Sequence, residues 1–361
     1  MKIIAFYLPQ FHTTPDNDRW WSEGFTDWTN VKNAKRLFRG HKQPKVPAEL
    51  GYYNLLSPST REAQAKLARE AGIYGFCYWT YWFGNGREEL ETPLNEVVRL
   101  GEPDFPFMIG WANESWYRKQ WANGKVKSRE LLIQQTYPGE EDIKAQFYRY
   151  LKTFKDKRYI RIDGRPAFLI YKPQDLPGNF ISLWNSLAEK EGLDKFYFIA
   201  HVISEKEQKM SEEGCYRYYI DKGFDAVNFV RLSKPFEQKT LGGFFHKLFY
   251  RVFRQPVVYN YSRAIKFFSS EIDRNENVFP TLIPNWDHTP RSGRGGWVLR
   301  NCTPDLFEKH IRNTLDKIGQ KEESSKIVFL KSWNEWGEGN YMEPDSEWGN
   351  SYLETLKRNL Q

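Results

Sequence analysis

The chain has 361 residues, 40% hydrophobic and 27% charged, a composition that is ordinary for a soluble globular protein and excludes a fibrous or disordered one. The net charge of +7 suits an anionic partner, but no nucleic-acid-binding motif is present and no stretch is apolar enough to span a membrane. Cys77, Cys215 and Cys302 are too widely spaced for a disulfide framework or paired metal ligands. Because the apolar start is too short for a signal peptide, we expect a cytoplasmic protein.

Short β-branched and aromatic runs alternate with helical patterns along the chain. The predicted strands are Ile3–Leu8, Tyr74–Trp82, Phe107–Trp111, Ala167–Tyr171, Phe196–His201, Ala226–Phe229, Thr281–Pro284 and Ile327–Ser332. The predicted helices are Thr60–Ala71, Glu88–Leu100, Glu140–Phe154, Phe180–Glu191, Pro304–Ile318 and Tyr352–Leu360. Strands alternating with helices indicate a parallel sheet, and eight strands are enough to close a barrel.

The predicted fold class is α/β, a (β/α)₈ TIM barrel with long βα loops and an insertion before the seventh strand. A doubly wound open sheet is the main structural alternative, and the lack of a Gly-rich phosphate loop after any early strand weakens it. No internal repeat, low-complexity linker or composition break divides the sequence, so residues 1–361 are expected to form one domain.

Residues 231–278 form the predicted insertion, which is longer than a normal connection. Its segment Gly242–Arg254 is basic and aromatic together. We interpret this segment as a lid over the site or as a helix that covers the barrel wall, and peripheral membrane contact is the third interpretation.

Polar and aromatic residues follow nearly every predicted strand. In a barrel the active site forms at the carboxyl ends of the strands, so such residues meet at one mouth. Aromatic faces stack on sugar rings and amides bond the hydroxyls, although the 14 Trp, 21 Tyr and 26 Phe also suit a large core. The predicted substrate-binding residues are Tyr7, Gln10, His12, Trp28, Tyr81, Trp82, Trp111, Asn113, Glu114, Trp116, Tyr171, His201, Asn285, Trp286, Asp287, Trp333, Asn334 and Trp336.

Glu335 and Glu338 follow the eighth strand and are the candidate catalytic residues. Cleavage of a glycosidic bond needs an acid to protonate the leaving oxygen and a second carboxylate as nucleophile or base. Gly337 permits a sharp turn that aims both side chains into one pocket. The flanking Trp333 and Trp336 predict a partly dehydrated environment, which raises a carboxyl pKa. The alternative is a charge pair at a helix N-terminus or a solvated turn.

Other polar residues at the mouth support weaker hypotheses. Glu114 is either a functional acid or a hydrogen-bonded loop carboxylate. His12, His201 and His288 lack the spacing of a zinc motif, so no metal ion and no other cofactor is expected. No Gly-x-Ser-x-Gly sequence is present, which argues against a Ser-His-Asp hydrolase.

Several motifs resemble those of one family. They are Phe6-Tyr7-Leu8-Pro9-Gln10-Phe11-His12, Gly24-Phe25-Thr26-Asp27-Trp28-Thr29-Asn30-Val31, Trp111-Ala112-Asn113-Glu114, Trp333-Asn334-Glu335-Trp336-Gly337-Glu338-Gly339 and Glu343-Pro344-Asp345. Together they resemble the WbsX-type glycosyltransferases of bacterial polysaccharide clusters, over essentially the whole chain. That group is related to glycoside hydrolase family 99, the endo-α-mannosidases and endo-α-mannanases.

The resemblance to family 99 implies a (β/α)₈ barrel and a retaining mechanism through a 1,2-anhydro sugar. In that mechanism the first Glu of Trp-Asn-Glu-Trp-x-Glu takes the proton of the sugar 2-hydroxyl, and the second protonates the leaving oxygen and later activates water. Carried over to this sequence, Glu335 is the base and Glu338 the acid/base. The route requires a 2-hydroxyl trans to the leaving group, as in α-mannosides or α-rhamnosides.

Three functions are compatible with these patterns. The first is a retaining α-glycoside hydrolase that cleaves α-mannoside- or α-rhamnoside-type linkages in a bacterial polysaccharide or oligosaccharide. The second is a glycosyltransferase in surface polysaccharide (O-antigen or capsule) biosynthesis, which the expected cytoplasmic location favours. The third is a glycan-binding module without activity, against which the intact Glu335 and Glu338 argue.

Overall fold

Eight parallel strands close into a barrel at the centre of the computed structural model, which describes residues 1–122, 125–204, 209–237 and 255–360. The strands are β1 (Lys2–Tyr7), β2 (Gly75–Trp82), β3 (Phe107–Trp111), β4 (Arg165–Ile170), β5 (Tyr197–Val202), β6 (Ala226–Phe229), β7 (Val278–Leu282) and β8 (Ile327–Leu330). Each strand pairs with its neighbours in chain order, and β1 also pairs with β8, which closes the ring. The predicted (β/α)₈ barrel is confirmed.

Helices follow the strands around the ring. They are α1 (Pro58–Glu70), α2 (Thr92–Leu100), α3 (Glu140–Phe154), α4 (Phe180–Lys190), α5 (Glu212–Asp221), α6 (Pro304–Ile318) and α7 (Ser351–Leu360). Among the described residues, the connection from β6 to β7 holds short helical turns at Lys234–Glu237, Tyr261–Ala264, Ile265–Phe267 and Glu271–Arg274. No helix among all the residues that the structure describes is long and apolar enough to cross a membrane.

The barrel strands are apolar runs because helices cover one of their faces and the barrel interior the other. In β1 the side chains from Ile3 to Tyr7 are all buried. In α3 the buried Ile143, Phe147 and Phe154 recur at helical spacing, so one face of this helix packs on the barrel. These contacts make one large hydrophobic core.

Two predicted boundaries are wrong by several residues. The helix predicted from Glu88 begins at Thr92, because Glu88–Glu89 pairs antiparallel with the end of β2 across a turn. Gly84 and Gly86 have positive φ in that turn. The seventh strand begins at Val278 and not at residue 281, since Val278 pairs with β6.

Several elements lie outside the predictions. Helix α5 fills the gap left between the fifth and sixth strands, and its N-cap is Ser211, whose side chain accepts from Gly214 N. After β3 a hairpin of Trp116–Ala122 and Lys125–Ile133 extends from the barrel. Further short elements are the helices Pro15–Trp20, Asp27–Lys32 and Thr289–Ser292, the 3₁₀ turns Pro173–Asp175, Gly293–Gly295, Glu323–Ser325 and Trp336–Glu338, and the strand pairs Arg161–Ile162 with β4 and Asn334–Glu335 with Asn340–Tyr341.

The predicted insertion is described at residues 231–237 and 255–278. Its strand Val257–Asn260 pairs in parallel with Trp297–Arg300 from the connection after β7. Phe236 and Phe268 join a second hydrophobic cluster there, apart from the main core. The proposed lid segment Gly242–Arg254 lies outside the described residues, so its role stays a prediction.

A buried ion pair anchors this insertion. Arg231 Nη1 and Nη2 lie 3.0 and 2.7 Å from the two carboxylate oxygens of Asp273, and neither side chain is exposed. We expect Asp273→Ala to lower the free energy of unfolding by roughly 1–3 kcal/mol, because the buried Arg231 loses two hydrogen bonds and keeps only the carboxylate of Glu212 as an ionic partner. Urea unfolding measures the change. The control Asp316→Ala removes a side chain that is 71% exposed and should cost less than about 0.5 kcal/mol. Equal losses in the two variants would contradict the anchoring role.

Candidate active site

A cleft of about 740 Å³ opens at the carboxyl ends of the barrel strands. Its size is typical of ligand-binding cavities. Its walls come from β2 and from the connections after β1, β3, β4, β7 and β8. The predicted site residues that line it are Gln10, Tyr81, Asn113, Glu114, Trp116, Tyr171, Glu335 and Glu338.

Glu335 enters the cleft on a small hairpin that follows β8. Its strand, Asn334–Glu335, pairs antiparallel with Asn340–Tyr341. The Ser332 hydroxyl donates to Glu335 Oε2, and Lys331 Nζ lies 3.3 Å from the same oxygen. Only 6% of the residue is exposed, so Glu335 is a nearly buried carboxylate held by a hydroxyl and a cation.

Glu338 ends the 3₁₀ turn Trp336–Glu338 and meets three basic side chains. Arg291 Nη1 donates to Oε1 at 2.8 Å, His288 Nε2 lies 3.6 Å from that oxygen, and Lys331 Nζ lies 3.9 Å from Oε2. Burial alone would raise the pKa of this carboxyl, but His288 and the charges of Arg291 and Lys331 hold it well below its usual range. Glu338 is therefore ionised in the free protein at neutral pH.

The expectation of a raised carboxyl pKa at this turn is wrong for Glu338. Trp333 and Trp336 are both fully buried in the core and do not line the cleft. Trp336 stacks on Tyr341 at 3.7 Å and donates its Nε1 to Glu343 at 2.5 Å. Cations surround Glu338 instead of indole rings, so their attraction decides its charge.

Arg291 links Glu338 to a second buried carboxylate, Asp27. Its guanidinium donates to both oxygens of Asp27, at 2.7 and 3.1 Å. Gly337 packs directly on that carboxylate, since a Cβ built there would lie 2.4 Å from Asp27 Oδ2. Glycine is thus needed at 337 for close approach. The left-handed backbone at this turn is at Gly339, whose φ is +51°.

Aromatic side chains form much of the cleft wall. Tyr81 and Trp116 meet edge to face with ring centres 4.9 Å apart, and Trp21 stacks on Phe25 at 5.5 Å. The cleft-lining aromatic residues outside the predicted set are Trp20, Trp21, Phe25, Trp79, Tyr117 and Tyr137. Exposed rings beside carboxylates and amides suit the binding of a sugar chain.

Asn113 joins two connections at the cleft. Its Nδ2 donates to the carbonyl of Lys172 at 2.9 Å and its Oδ1 accepts from Lys172 N at 2.7 Å. Glu114 lies on the rim, and its carboxylate is 3.3 Å from Lys172 Nζ. This geometry matches the hypothesis that Glu114 is a loop carboxylate held by a neighbouring group. Its side chain is still open to the cleft.

Six of the predicted binding residues belong to the core and do not line the cleft. They are Tyr7, Trp28, Trp82, Trp111, Trp333 and Trp336. The Tyr7 hydroxyl donates to Gln64 at 2.7 Å and the Trp28 indole donates to the Tyr53 carbonyl at 2.8 Å, so the polar atoms of these two residues have partners inside the protein. Large aromatic residues at strand ends pack inward here because the neighbouring helices offer them apolar contact.

Asn334 and Asn285 brace the connections rather than line the cleft. The Asn334 amide accepts from Leu8 N at 2.8 Å and donates to Leu8 O at 3.0 Å, which ties the end of β1 to the hairpin after β8. Asn285 makes the same kind of paired contact with the backbone of Tyr341, at 3.0 and 3.2 Å. Trp286 packs in the second hydrophobic cluster.

Asp287 is also buried away from the cleft lining. It accepts hydrogen bonds from His41 Nε2 and Gln43 Nε2, each at 2.7 Å, and from Thr289 N at 3.0 Å. Burial would raise the pKa of Asp287, but these donors, His41 first, hold it below its ordinary value. The ionised carboxylate therefore joins the connections after β1 and β7.

The three histidines lie in separate surroundings. His12 Nδ1 contacts the Pro9 carbonyl at 2.8 Å, and burial lowers its pKa. His201 contacts Asn228 at 2.7 Å, faces a smaller cavity of about 210 Å³, and has its pKa lowered by burial to about 3. Only His288 lines the large cleft. Within the described residues no group of three His, Cys, Asp or Glu side chains is placed to hold a metal ion.

Arg291 and Lys331, two of the basic residues beside Glu338, were not predicted. Lys331 directly follows β8, so the rule that strand ends carry the site could have found it. Arg291 lies in the short helix Thr289–Ser292, within a long connection. No local pattern marks Arg291, because its partners Asp27 and Glu338 are distant in sequence.

Glu343, from the last motif of the sequence analysis, is buried behind Trp336. It accepts from Tyr53 Oη at 2.8 Å, Gln64 Nε2 at 2.6 Å and Trp336 Nε1 at 2.5 Å. Burial raises the pKa of this carboxyl to about 7, against the opposing effect of these hydrogen bonds.

This shift predicts a pH dependence of stability. Between pH 4.5 and about 7 the folded chain keeps a proton on Glu343 that the unfolded chain has lost. The free energy of unfolding should therefore fall as pH rises through this window, and Glu343→Gln should lack this part of the fall. Thermal melting at closely spaced pH values measures both. The exposed Glu354→Gln should keep the wild-type slope, and an unchanged slope in Glu343→Gln would be evidence against the buried proton.

The fold and the cleft together define a carbohydrate-active enzyme, a barrel whose mouth holds adjacent carboxylates between aromatic walls. The family model described as Glycosyltransferase WbsX matches residues 3–356, so the chain belongs to the WbsX glycosyltransferase family. WxcX from two strains of Xanthomonas campestris pv. campestris is 30% identical over an alignment of 365 positions, which covers 99% of this chain and 49% of that protein. The chain thus spans about half the length of the curated relatives it matches.

Solved structures share the barrel. A glycoside hydrolase-like protein has a TM-score of 0.60 at 15% identity, covering 100% of this chain and 94% of that one. The family 99 endo-α-mannosidase of Bacteroides thetaiotaomicron has a TM-score of 0.54 at 14% identity, covering 99% and 94%. At these identities the likeness is one of fold.

Proposed function

We propose that the protein is a retaining α-glycoside hydrolase that cleaves α-mannoside- or α-rhamnoside-type linkages in a bacterial polysaccharide. The observation that carries the proposal is the pair of carboxylates on one turn. Lys331 Nζ lies 3.3 Å from Glu335 and 3.9 Å from Glu338, so the two acids stand side by side in the cleft. A pair of adjacent carboxyl groups is what cleavage of a glycosidic bond with retention requires.

In the proposed reaction Glu335 takes the proton of the sugar 2-hydroxyl. The freed oxygen attacks C1, the bond from C1 to the leaving oxygen breaks, and a 1,2-anhydro sugar forms while Glu338 gives a proton to the leaving oxygen. Water then opens the anhydro ring at C1, Glu338 accepts the proton of that water, and Glu335 returns a proton to O2. Two inversions at C1 give overall retention.

The cations around Glu338 set a condition on the first step. A proton donor has to hold its proton, whereas Arg291 and Lys331 favour the ionised form of this carboxyl. Low pH protonates Glu338 and therefore supports the first step. The ionised carboxylate of Glu338 suits the second step, in which it activates water. Hydrolysis of poor leaving groups should accordingly increase as the pH falls below neutrality.

Glu338→Gln tests the acid role. We expect about a 10²- to 10⁴-fold loss of kcat/KM on glycosides with poor leaving groups and a much smaller loss on activated aryl glycosides, because a good leaving group needs little help from a proton. A series of aryl α-mannosides and α-rhamnosides of graded leaving-group pKa measures the difference. Glu114→Gln, which alters a carboxylate on the rim of the same cleft, should not depend on the leaving group. An equal loss across the series in Glu338→Gln would remove the acid assignment.

The alternative proposal is a glycosyltransferase in surface polysaccharide (O-antigen or capsule) biosynthesis, which the description of the family favours. Asp16-Asn17-Asp18 has the Asp-x-Asp spacing common in enzymes that use metal-bound sugar nucleotides, and Asn17 lines the cleft. Asp16 pairs with Arg19 at 2.7 Å, and Asp18 accepts from Gly24 N at 2.9 Å. Because both carboxylates already have partners in this loop, hydrolysis remains the first proposal.

A further inference from the structure

A strongly basic segment lies in the connection after β1. Residues 28–48 contain no Asp or Glu, and their basic residues are Lys32, Lys35, Arg36, Arg39, Lys42 and Lys45. All of these are exposed except Lys45, which is half-buried. Glu347 pairs with both Lys42 and Lys45, and its single negative charge offsets one of these two positive charges. The other cations make no ion pair with the described residues, so the surface keeps a net positive charge.

Apolar side chains stand exposed next to these cations. Val46, Tyr52 and Leu56 are 39%, 40% and 38% exposed. Lys32 Nζ lies 4.4 Å from the centre of the Tyr52 ring, so a charged and an apolar side chain of this connection are in direct contact. Exposed aliphatic groups beside cations are typical of surfaces that contact the headgroup and upper acyl region of a bilayer.

This surface is fixed at the mouth of the barrel. The same connection supplies Trp21 and Asp27 to the cleft. His41 and Gln43, inside the basic segment, hold the buried Asp287 at 2.7 Å each. Since βα connections lie at the carboxyl ends of the strands, the basic segment and the cleft occupy the same end of the molecule.

We propose that residues 32–56 form a surface that binds an anionic phospholipid bilayer, with the barrel mouth turned toward it. Anionic lipids attract Lys and Arg side chains within a Debye length, and Val46, Tyr52 and Leu56 add apolar contact. An acidic polysaccharide would share the charge attraction but would gain little from exposed aliphatic groups. The inference is independent of the reaction that the cleft performs.

Co-sedimentation of the full chain with vesicles tests the proposal. We expect binding to phosphatidylglycerol–phosphatidylcholine vesicles, none to phosphatidylcholine alone, and a decline as salt is raised. The triple variant Lys35→Gln, Arg36→Gln, Arg39→Gln should bind about fivefold more weakly per charge removed, roughly a hundredfold in all.

A matched triple variant removes the same charge from the opposite end of the barrel. Lys190 ends α4, and Lys195 and Lys222 lie in the connections that lead into β5 and β6; all three are exposed. Their replacement by Gln should leave vesicle binding unchanged. The proposal would be overturned by equal losses in the two triple variants, by equal binding to neutral vesicles, or by binding to polygalacturonate without binding to anionic vesicles. Each of these results leaves the hydrolase proposal untouched, because none of them depends on turnover.

Discussion

Glu335→Gln should lower kcat/KM by about 10³-fold or more on every glycoside, activated or not. The reason is that the proposed base is needed to form the attacking oxygen, whatever the leaving group. Gln is close in size to Glu and can still contact Ser332, so the fold should survive. Initial rates on an activated aryl α-mannoside and α-rhamnoside, with melting temperatures alongside, measure both expectations.

Glu62→Gln is the matched control for this experiment. Glu62 is exposed on α1, so the same chemical change there should leave rates and stability within experimental error. Near-normal turnover in Glu335→Gln would end its assignment as the base. A loss limited to poor leaving groups would instead transfer the acid role from Glu338 to Glu335.

Gly337→Ala should have the next largest effect. Its Cβ would lie 2.4 Å from Asp27 Oδ2, so either the Asp27 carboxylate or the turn has to shift. Moving Asp27 disturbs its paired hydrogen bonds with Arg291, and moving the turn displaces Glu338. We expect a loss of roughly 1–3 kcal/mol in stability and about 10²-fold in kcat/KM, measured by urea unfolding and by rates on an activated substrate.

Gly178→Ala is the corresponding control. Gly178 has no positive φ and no heavy atom within 4 Å of a built Cβ, so its replacement should change neither quantity. If Gly337→Ala were as stable and as active as the parent, the close approach between Gly337 and Asp27 would be unimportant for both stability and activity.

The barrel could be predicted from the sequence because its strands are short apolar runs between turn signals. Phe107–Trp111 and Glu140–Phe154 have the predicted bounds, since both are uninterrupted and strongly patterned. Helix α5 was missed although Ser211 caps it and two acidic residues follow, because aromatic and charged residues mix along it. A helix of this kind, inside a long connection, is hard to recognise from the sequence.

The cleft could be predicted only in part. Because they follow a predicted strand, Glu114 and Trp116 were predicted to be cleft residues, and both line the cleft. The same criterion also selected Trp333. Trp333 is nevertheless buried in the core, because the direction of a side chain depends on the local turn and reverses with one residue along a strand. Sequence spacing gives the alternation of side chains within a strand, but it does not give their direction once the strand has ended in a turn.

The electrostatics of the site were beyond sequence reasoning. Neighbouring tryptophans predicted a raised carboxyl pKa, whereas Arg291 and Lys331 lower that of Glu338 against the effect of burial. Arg291 comes from the connection after β7 and meets Asp27 from the connection after β1. Such contacts exist only once the barrel brings its connections together.

The central claim is tested most directly by incubating the purified chain with aryl α-mannosides, aryl α-rhamnosides and bacterial polysaccharides, with no nucleotide sugar present. We expect release of a reducing sugar or aryl alcohol that disappears in Glu335→Gln and persists in Glu62→Gln. No release from any of these substrates, followed by sugar transfer once nucleotide sugars are added, would contradict the hydrolase and establish the biosynthetic alternative.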